Sequence, residues 1–174
     1  RSSAASDVYK RQVDRVFDPA RKIRRLTMKF KTILLPTDFS DESLHAMSYA
    51  VDLARLFNAK LYILHVIYDI EKASNLHIPH QSITELYNDL KTHAQKNLES
   101  FGIDMREDLK DTETVVLRGI PYEEIIKFAK EKNIDLIIVG TLPKSGVERF
   151  FVGSTTQRVI RNAPCPVLVV TKKQ

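Results

Sequence analysis

The residues best suited to hold an anion lie between positions 134 and 155. Ile134–Val139 (IDLIIV) is an apolar run that leads directly into Gly140, a loop follows, and Gly153-Ser154-Thr155 opens a helical pattern. A strand, a loop and a helix start in that order form a cradle for phosphate. The first N–H groups of a helix lack intrahelical partners, and the helix dipole attracts negative charge there. Glycine at the rim lets the backbone approach a ligand where a Cβ would clash. Gly140, Gly153 and Ser154 also have simpler readings, as backbone-shaping glycines and a helix cap. Other reactive residue types are sparse. His77 and His80 sit three apart in a polar loop with no acidic ligand beside them, so no metal site is expected. The single cysteine, Cys165, lies between Pro164 and Pro166 and reads as a small packed hydrophobe rather than a nucleophile. His65 alternates with apolar neighbours and reads as a hydrogen-bonded strand residue.

Apolar runs alternate with amphipathic stretches from Phe30 onward. Thr32–Pro36 reads as a first strand, apolar on both faces as a central parallel strand must be. Ser40 is placed to cap a helix with Asp41 and Glu42 in its first turn. Leu44, Met47, Ala50, Val51, Ala54 and Phe57 follow at helical spacing, with Asn58 as the stop. Leu61–Ile67 is a second strand, Tyr68–Ser82 a loop, and Ile83–Phe101 a long polar helix that stops at Gly102. Thr114–Arg118 is a third strand. Pro121 suits the first turn of a helix that runs through Lys130. The strand at Ile134, a helix to Asn162 and a last strand, Val167–Thr171, complete the series.

Five strands alternating with four helices imply an α/β fold: one open, five-stranded, parallel, three-layer, Rossmann-like sheet. With strand order 3-2-1-4-5, the order reverses between the strands ending at Pro36 and Val139. Ligands of such sheets bind beyond the strand C-termini at that reversal. The expected cleft is lined by Pro36, Thr37 and Asp38 and by the loop after Gly140.

The formal charge of +5 is local. Residues 1–27 contain eight Lys/Arg and three Asp, so positions 28–174 carry 19 basic and 19 acidic residues. The body is neutral, and neither nucleic acid nor a membrane is an expected partner. Residues 2–12 resemble a translated sequencing adapter, so 1–27 reads as a non-native or disordered extension preceding a single domain over 28–174. No apolar stretch is long enough for a signal peptide or a bilayer span. One cysteine accords with a reducing cytoplasm.

Residues 29–171 resemble the universal stress protein (UspA) superfamily. The matching pieces, in order, are Ile33–Ser40 (ILLPTDFS), Leu64–Ile67 (LHVI), Gly119–Glu124 (GIPYEE), Gly153–Ile160 (GSTTQRVI) and Asn162–Val170 (NAPCPVLVV). The resemblance implies homodimers formed through the last strand and, in one subgroup, binding of ATP or AMP, with or without Mg²⁺. The nucleotide motif of that subgroup is Gly, two residues, Gly, nine residues, then Gly followed by Ser or Thr. Gly140, Gly153 and Ser154 match it, and Pro143 replaces the middle glycine. Proline removes an N–H and adds a ring beside the phosphates. The site residues expected are Pro36, Thr37, Asp38, Val66, Val139, Gly140, Lys144, Gly153, Ser154 and Thr155. In that set Asp38 holds the ribose or nearby polar atoms, unless it only ends the strand or caps the following turn; Val66 offers backbone groups to the adenine edge, and Gly153, Ser154 and Thr155 serve the phosphates. Lys144 and Arg149 add charge.

Three functions remain open on the sequence. The first is a regulatory adenine-nucleotide-binding module of the stress response, with slow ATP hydrolysis at most and an unidentified protein partner. The second is a nucleotide-free dimeric interaction or scaffold protein, in which Pro143 marks a lost site. The third is a nucleotide-hydrolysing or nucleotidyl-transferring enzyme. That class needs a glycine-rich Ser-Gly-Gly turn, a His-x-Gly-His motif or a Walker Gly-Lys-Ser/Thr, and none is present. No base–nucleophile pair is visible either.

Overall fold

A computed structural model describes residues 29–74, 80–107, 109–141 and 153–171. The strands are β1 (Thr32–Pro36), β2 (Lys60–Tyr68), β3 (Thr112–Gly119), β4 (Leu136–Thr141) and β5 (Val167–Thr171). The helices are α1 (Asp41–Phe57), α2 (Ile70–Ser74), α3 (His80–Ser100), α4 (Ile103–Arg106), α5 (Pro121–Glu131) and α6 (Ser154–Asn162). All strands pair in parallel in the order β3-β2-β1-β4-β5. The expected sheet and its reversal point are therefore present.

The sheet is covered on both faces because its strands are apolar at successive positions. Ile33, Leu35, Leu61, Ile63 and Ile138 pack on one face with Met47, Ala50 and Ala54 of α1 and Leu98 of α3. Leu34, Tyr62, Leu64, Ile137 and Val139 pack on the other with Ile125 and Phe128 of α5 and Val159 of α6. Period-two alternation sends neighbouring residues of each strand to opposite layers. Cys165 packs beside the second cluster, and burial pushes its thiol up, with the nearby Asp135 charge adding to the effect.

The ends of α1 follow the sequence signals. Ser40 is the N-cap and its side chain accepts from the Ser43 N–H (3.3 Å), while Asn58 closes the helix in the left-handed conformation at φ 50°. Two short helices, α2 and α4, were not expected, and α3 begins at His80 rather than Ile83. The stretch expected as a loop turns helical at Ile70 because Asp69 Oδ1 accepts from the Lys72 N–H (3.1 Å), a cap that reads equally well as a turn residue. Arg118 then ties this segment to β3. It donates to Asp69 (2.8 and 3.3 Å) and Glu71 (2.7 Å), and its guanidinium lies 3.4 Å from the Tyr87 ring centroid. After Gly102, α4 folds back so that Arg106 Nη2 donates to the Leu98 and Glu99 carbonyls, both at 2.8 Å.

The start of β4 is fixed to the start of β1. Asp135 Oδ2 accepts from the Lys31 N–H (2.7 Å), the Thr32 N–H (3.1 Å) and the Thr32 hydroxyl (3.2 Å). At the other end, the first turn of α1 lies directly on β4. A Cβ built on Gly140 would stand 2.3 Å from the Glu42 carbonyl oxygen and 2.9 Å from the Ser43 nitrogen. These are backbone atoms and cannot swing aside. Gly140→Ala should therefore lower stability by about 1–3 kcal/mol through overpacking. Urea unfolding of the variant against the unchanged chain measures this.

Candidate functional site

The site begins where β1 ends. Pro36 is the last residue of β1, and one further backbone bond, from the Thr37 N–H to the Leu64 carbonyl (2.8 Å), follows it. The chain then turns away into α1 through Phe39, held in the left-handed region at φ 64°. Side chains knit this turn together. The Thr37 hydroxyl accepts from the Phe39 N–H (2.9 Å) and hydrogen-bonds to the Ser43 hydroxyl (2.9 Å), with both Thr37 and Ser43 buried. Ser43 donates in turn to the Ser40 carbonyl (2.9 Å).

Asp38 sits at the apex of the turn, exposed. Its Oδ1 accepts from the Ser40 N–H (3.1 Å) and hydroxyl (2.5 Å). Partial burial pushes this carboxyl up, but the hydrogen bonds from Ser40 and from its own turn outweigh that and hold it below its ordinary value of 3.8. Asp38 is an anion at neutral pH.

Because β1 stops, part of β2 is left without a ladder partner. Alternate residues of a central strand turn their N–H and C=O toward alternate neighbours. The Leu64 carbonyl points to β1, so Val66, two residues on, presents both backbone groups to the same side, past the end of β1. The Thr37 carbonyl, which a continuing ladder would offer to the Val66 N–H, hydrogen-bonds instead to His65 Nδ1 (2.9 Å).

Across the gap stands the N-terminus of α6. Gly153 is the N-cap and supplies no side-chain cap, and the first intrahelical bond runs from the Gln157 N–H to the Gly153 carbonyl (2.9 Å). The N–H groups of Ser154, Thr155 and Thr156 therefore precede the helical ladder. Ser154, expected as the cap, occupies the first helical position instead. A Cβ on Gly153 would meet nothing within 4 Å among the described residues, and its φ of −53° suits any side chain. Nothing in the described protein requires glycine there, in contrast to Gly140.

These parts enclose one cavity of about 590 Å³, within the usual range for a small-molecule site. Nine of the expected site residues line it: Pro36, Thr37, Asp38, Val66, Val139, Gly140, Gly153, Ser154 and Thr155. Lys144, like Pro143 and Arg149, lies outside the described residues, as does His77. Sequence reasoning missed the apolar floor of Leu64, Ile125 and Val159, and the polar rim of Ser40, Glu42, Ser43, Thr141 and Thr156. Pro121, at the start of α5, and His65 also line the space. Pro121 and Ile125 were findable, since they lie one helical turn apart and face the sheet. Thr141 continues β4 by one residue past Gly140.

The chemistry of the wall is mixed. It offers a donor–acceptor pair on Val66, a carboxylate on Asp38, and N–H and hydroxyl donors at α6. Such a set suits a ligand with an apolar ring, neighbouring hydroxyls and an anionic end. Among the described residues, no cluster of three or more His, Cys, Asp or Glu is placed to hold a metal ion, and no helix is long and apolar enough to cross a membrane.

Comparison with known proteins agrees with this arrangement. The family model described as the universal stress protein family matches residues 29–171. A universal stress protein of Methanocaldococcus jannaschii is 40% identical over 144 residues, covering 82% of this chain and 83% of its own. The solved structure of UspA from Lactobacillus plantarum superposes with a TM-score of 0.68 at 32% identity, covering 82% of this chain and 98% of that one. A universal stress protein solved in complex with cAMP superposes with a TM-score of 0.54 at 25% identity, covering 82% and 97%. With its sheet order, its cleft and these matches in agreement, the chain belongs to the universal stress protein family.

Proposed function

We propose that this universal stress protein is a regulatory module that binds an adenine nucleotide, ATP or AMP, in the cleft between β1 and β4. The observation that carries the reading is the convergence of Val66, Asp38 and the α6 N-terminus on one cavity. The Val66 N–H and C=O match the acceptor and donor that adenine displays side by side. The Asp38 carboxylate accepts from a ribose hydroxyl. The N–H groups and hydroxyls of Ser154 and Thr155 receive phosphate oxygens at the positive end of α6. Pro36, Thr37 and Val139 form walls around the ring, and Gly153 leaves the room that a phosphate needs. Lys144, which lies outside the described residues, is the proposed source of positive charge. The relative solved with cAMP supports the class of ligand. We take binding rather than turnover as the working role and a reducing cytoplasm as the working location.

Calorimetric titration of AMP, and of ATP with Mg²⁺, tests the site. Gly153→Val should weaken binding at least about tenfold while lowering stability by no more than about 1 kcal/mol through the poorer cap, because a Cβ there meets no described residue within 4 Å. No binding by the unchanged chain, with its assembly intact, would favour the nucleotide-free interaction protein and overturn this reading.

The Asp38 carboxylate gives a second test. Its folded-state pKa lies below its unfolded value, so its contribution to stability is present above the ordinary 3.8 and is lost as pH falls through the folded value. The stability gap between the unchanged chain and Asp38→Asn should stay constant from pH 8 to about 5 and close below 3.8. Nucleotide affinity should lose its Asp38-dependent part over the same acid range.

Assembly is proposed as a homodimer through β5, one of the two edge strands of the sheet. The Ile137 N–H donates to the Pro166 carbonyl, so the backbone groups of Leu168 and Val170 face β4, and those of Val167 and Val169 face outward. Val169→Pro removes an outward N–H and spares the inner ladder. Sedimentation should show this variant as a folded monomer. An unchanged sedimentation coefficient would move the interface elsewhere.

A further inference from the structure

His65 lines the cavity on the strand next to β1, and its ring is held from two sides. Nδ1 lies 2.9 Å from the Thr37 carbonyl. The ring stacks on Phe39, with centroids 4.4 Å apart and planes 29° from parallel. Phe39 in turn meets Phe101 edge-on at 5.7 Å, which anchors the stack in the core beneath α1. A carbonyl oxygen only accepts, so Nδ1 must carry the proton.

This contact sits at the one rung where the β1–β2 ladder fails. Thr37 donates its N–H to Leu64, but its carbonyl goes to the imidazole rather than to the Val66 N–H. One side chain thus does two things. It satisfies a carbonyl that a buried strand end would otherwise leave unpaired, and it leaves the Val66 N–H without a β1 partner beside the cavity. The stack also braces Phe39 in its left-handed conformation, from which Ser40 reaches back to Asp38.

The geometry points to His65 as the positioning residue of the nucleotide site: its Nδ1–H holds the Thr37–Ser40 turn so that the Val66 backbone and the Asp38 carboxylate both face the ligand. This inference rests on the nucleotide reading above for its consequence, but not for its geometry. His65 touches no ligand group in this role. Its effect passes through Thr37 and Phe39.

The test compares His65→Asn with His65→Gln in the full chain. An asparagine amide nitrogen falls close to the place of Nδ1, whereas the longer glutamine carries its amide toward the place of Nε2. AMP and ATP–Mg²⁺ are titrated into each. His65→Asn should bind within about threefold of the unchanged chain, and His65→Gln about tenfold or more weaker. Equal affinity of the two variants overturns the inference. Nitrogen NMR of the unchanged protein should show His65 as the Nδ1–H tautomer, and an Nε2–H tautomer overturns it. If the unchanged chain binds neither nucleotide, the functional reading falls and the positioning role is decided without ligand. Exchange of the Phe39 and Ser40 amides should then be faster in His65→Gln than in His65→Asn, and equal exchange overturns the inference.

Discussion

The site exists because the central strand ends early. β1 stops at Pro36 while its neighbour β2 runs on to Tyr68, and the backbone exposed by that difference in length becomes the wall of a cavity. Ending a strand in the middle of a sheet leaves polar backbone groups without ladder partners, which is costly when they are buried. Here the cost is met locally. The Thr37 N–H keeps its bond to Leu64, the Thr37 carbonyl takes the His65 imidazole, and the Thr37 hydroxyl takes Phe39 and Ser43. Among the described residues, the groups that β1 leaves without a ladder partner are those of Val66, on the cleft side.

The second strand of the cleft, β4, is shaped by a packing limit rather than by a ligand. Glycine at position 140 is required because the first turn of α1 presses on it, with the Glu42 carbonyl inside the space of a Cβ. Gly153 is the opposite case, since its missing Cβ leaves open room among the described residues. Two glycines of one sequence motif thus answer to different forces: the first lets helix and sheet close, and the second keeps the α6 N-terminus accessible. The charge pattern follows the same division. Asp38 stays ionised on the β1 side, and the N–H groups that precede the α6 ladder, with the positive end of the helix dipole, lie on the other.

The layers were legible because hydrophobic alternation speaks directly to burial. Ile33 and Leu35 fall on one face and Leu34 on the other, and only a sheet covered on both sides can use such a strand. The caps at Ser40 and Asn58 were legible for the same local reason. Less visible were features whose partners lie far apart in the chain. Nothing near Asp69 in sequence shows that Arg118, 49 positions away, would lock it beside Tyr87 and let α2 form. The Asp135 carboxylate that fixes the start of β1 is separated from Thr32 by 103 positions.

By itself, then, the sequence determined the order of the five strands and of the four longer helices, the two-faced core, the family and nine positions around the cleft, because periodicity, caps and motif spacing are properties of neighbouring residues. Only the tertiary structure decided what each position does. Whether a glycine serves packing or access, whether a histidine is a core residue or the clasp of a turn, and which backbone N–H is left over depend on what stands opposite in space. Those neighbours come from β1, β2, β4, α1 and α6 together, and only the folded sheet brings them into contact.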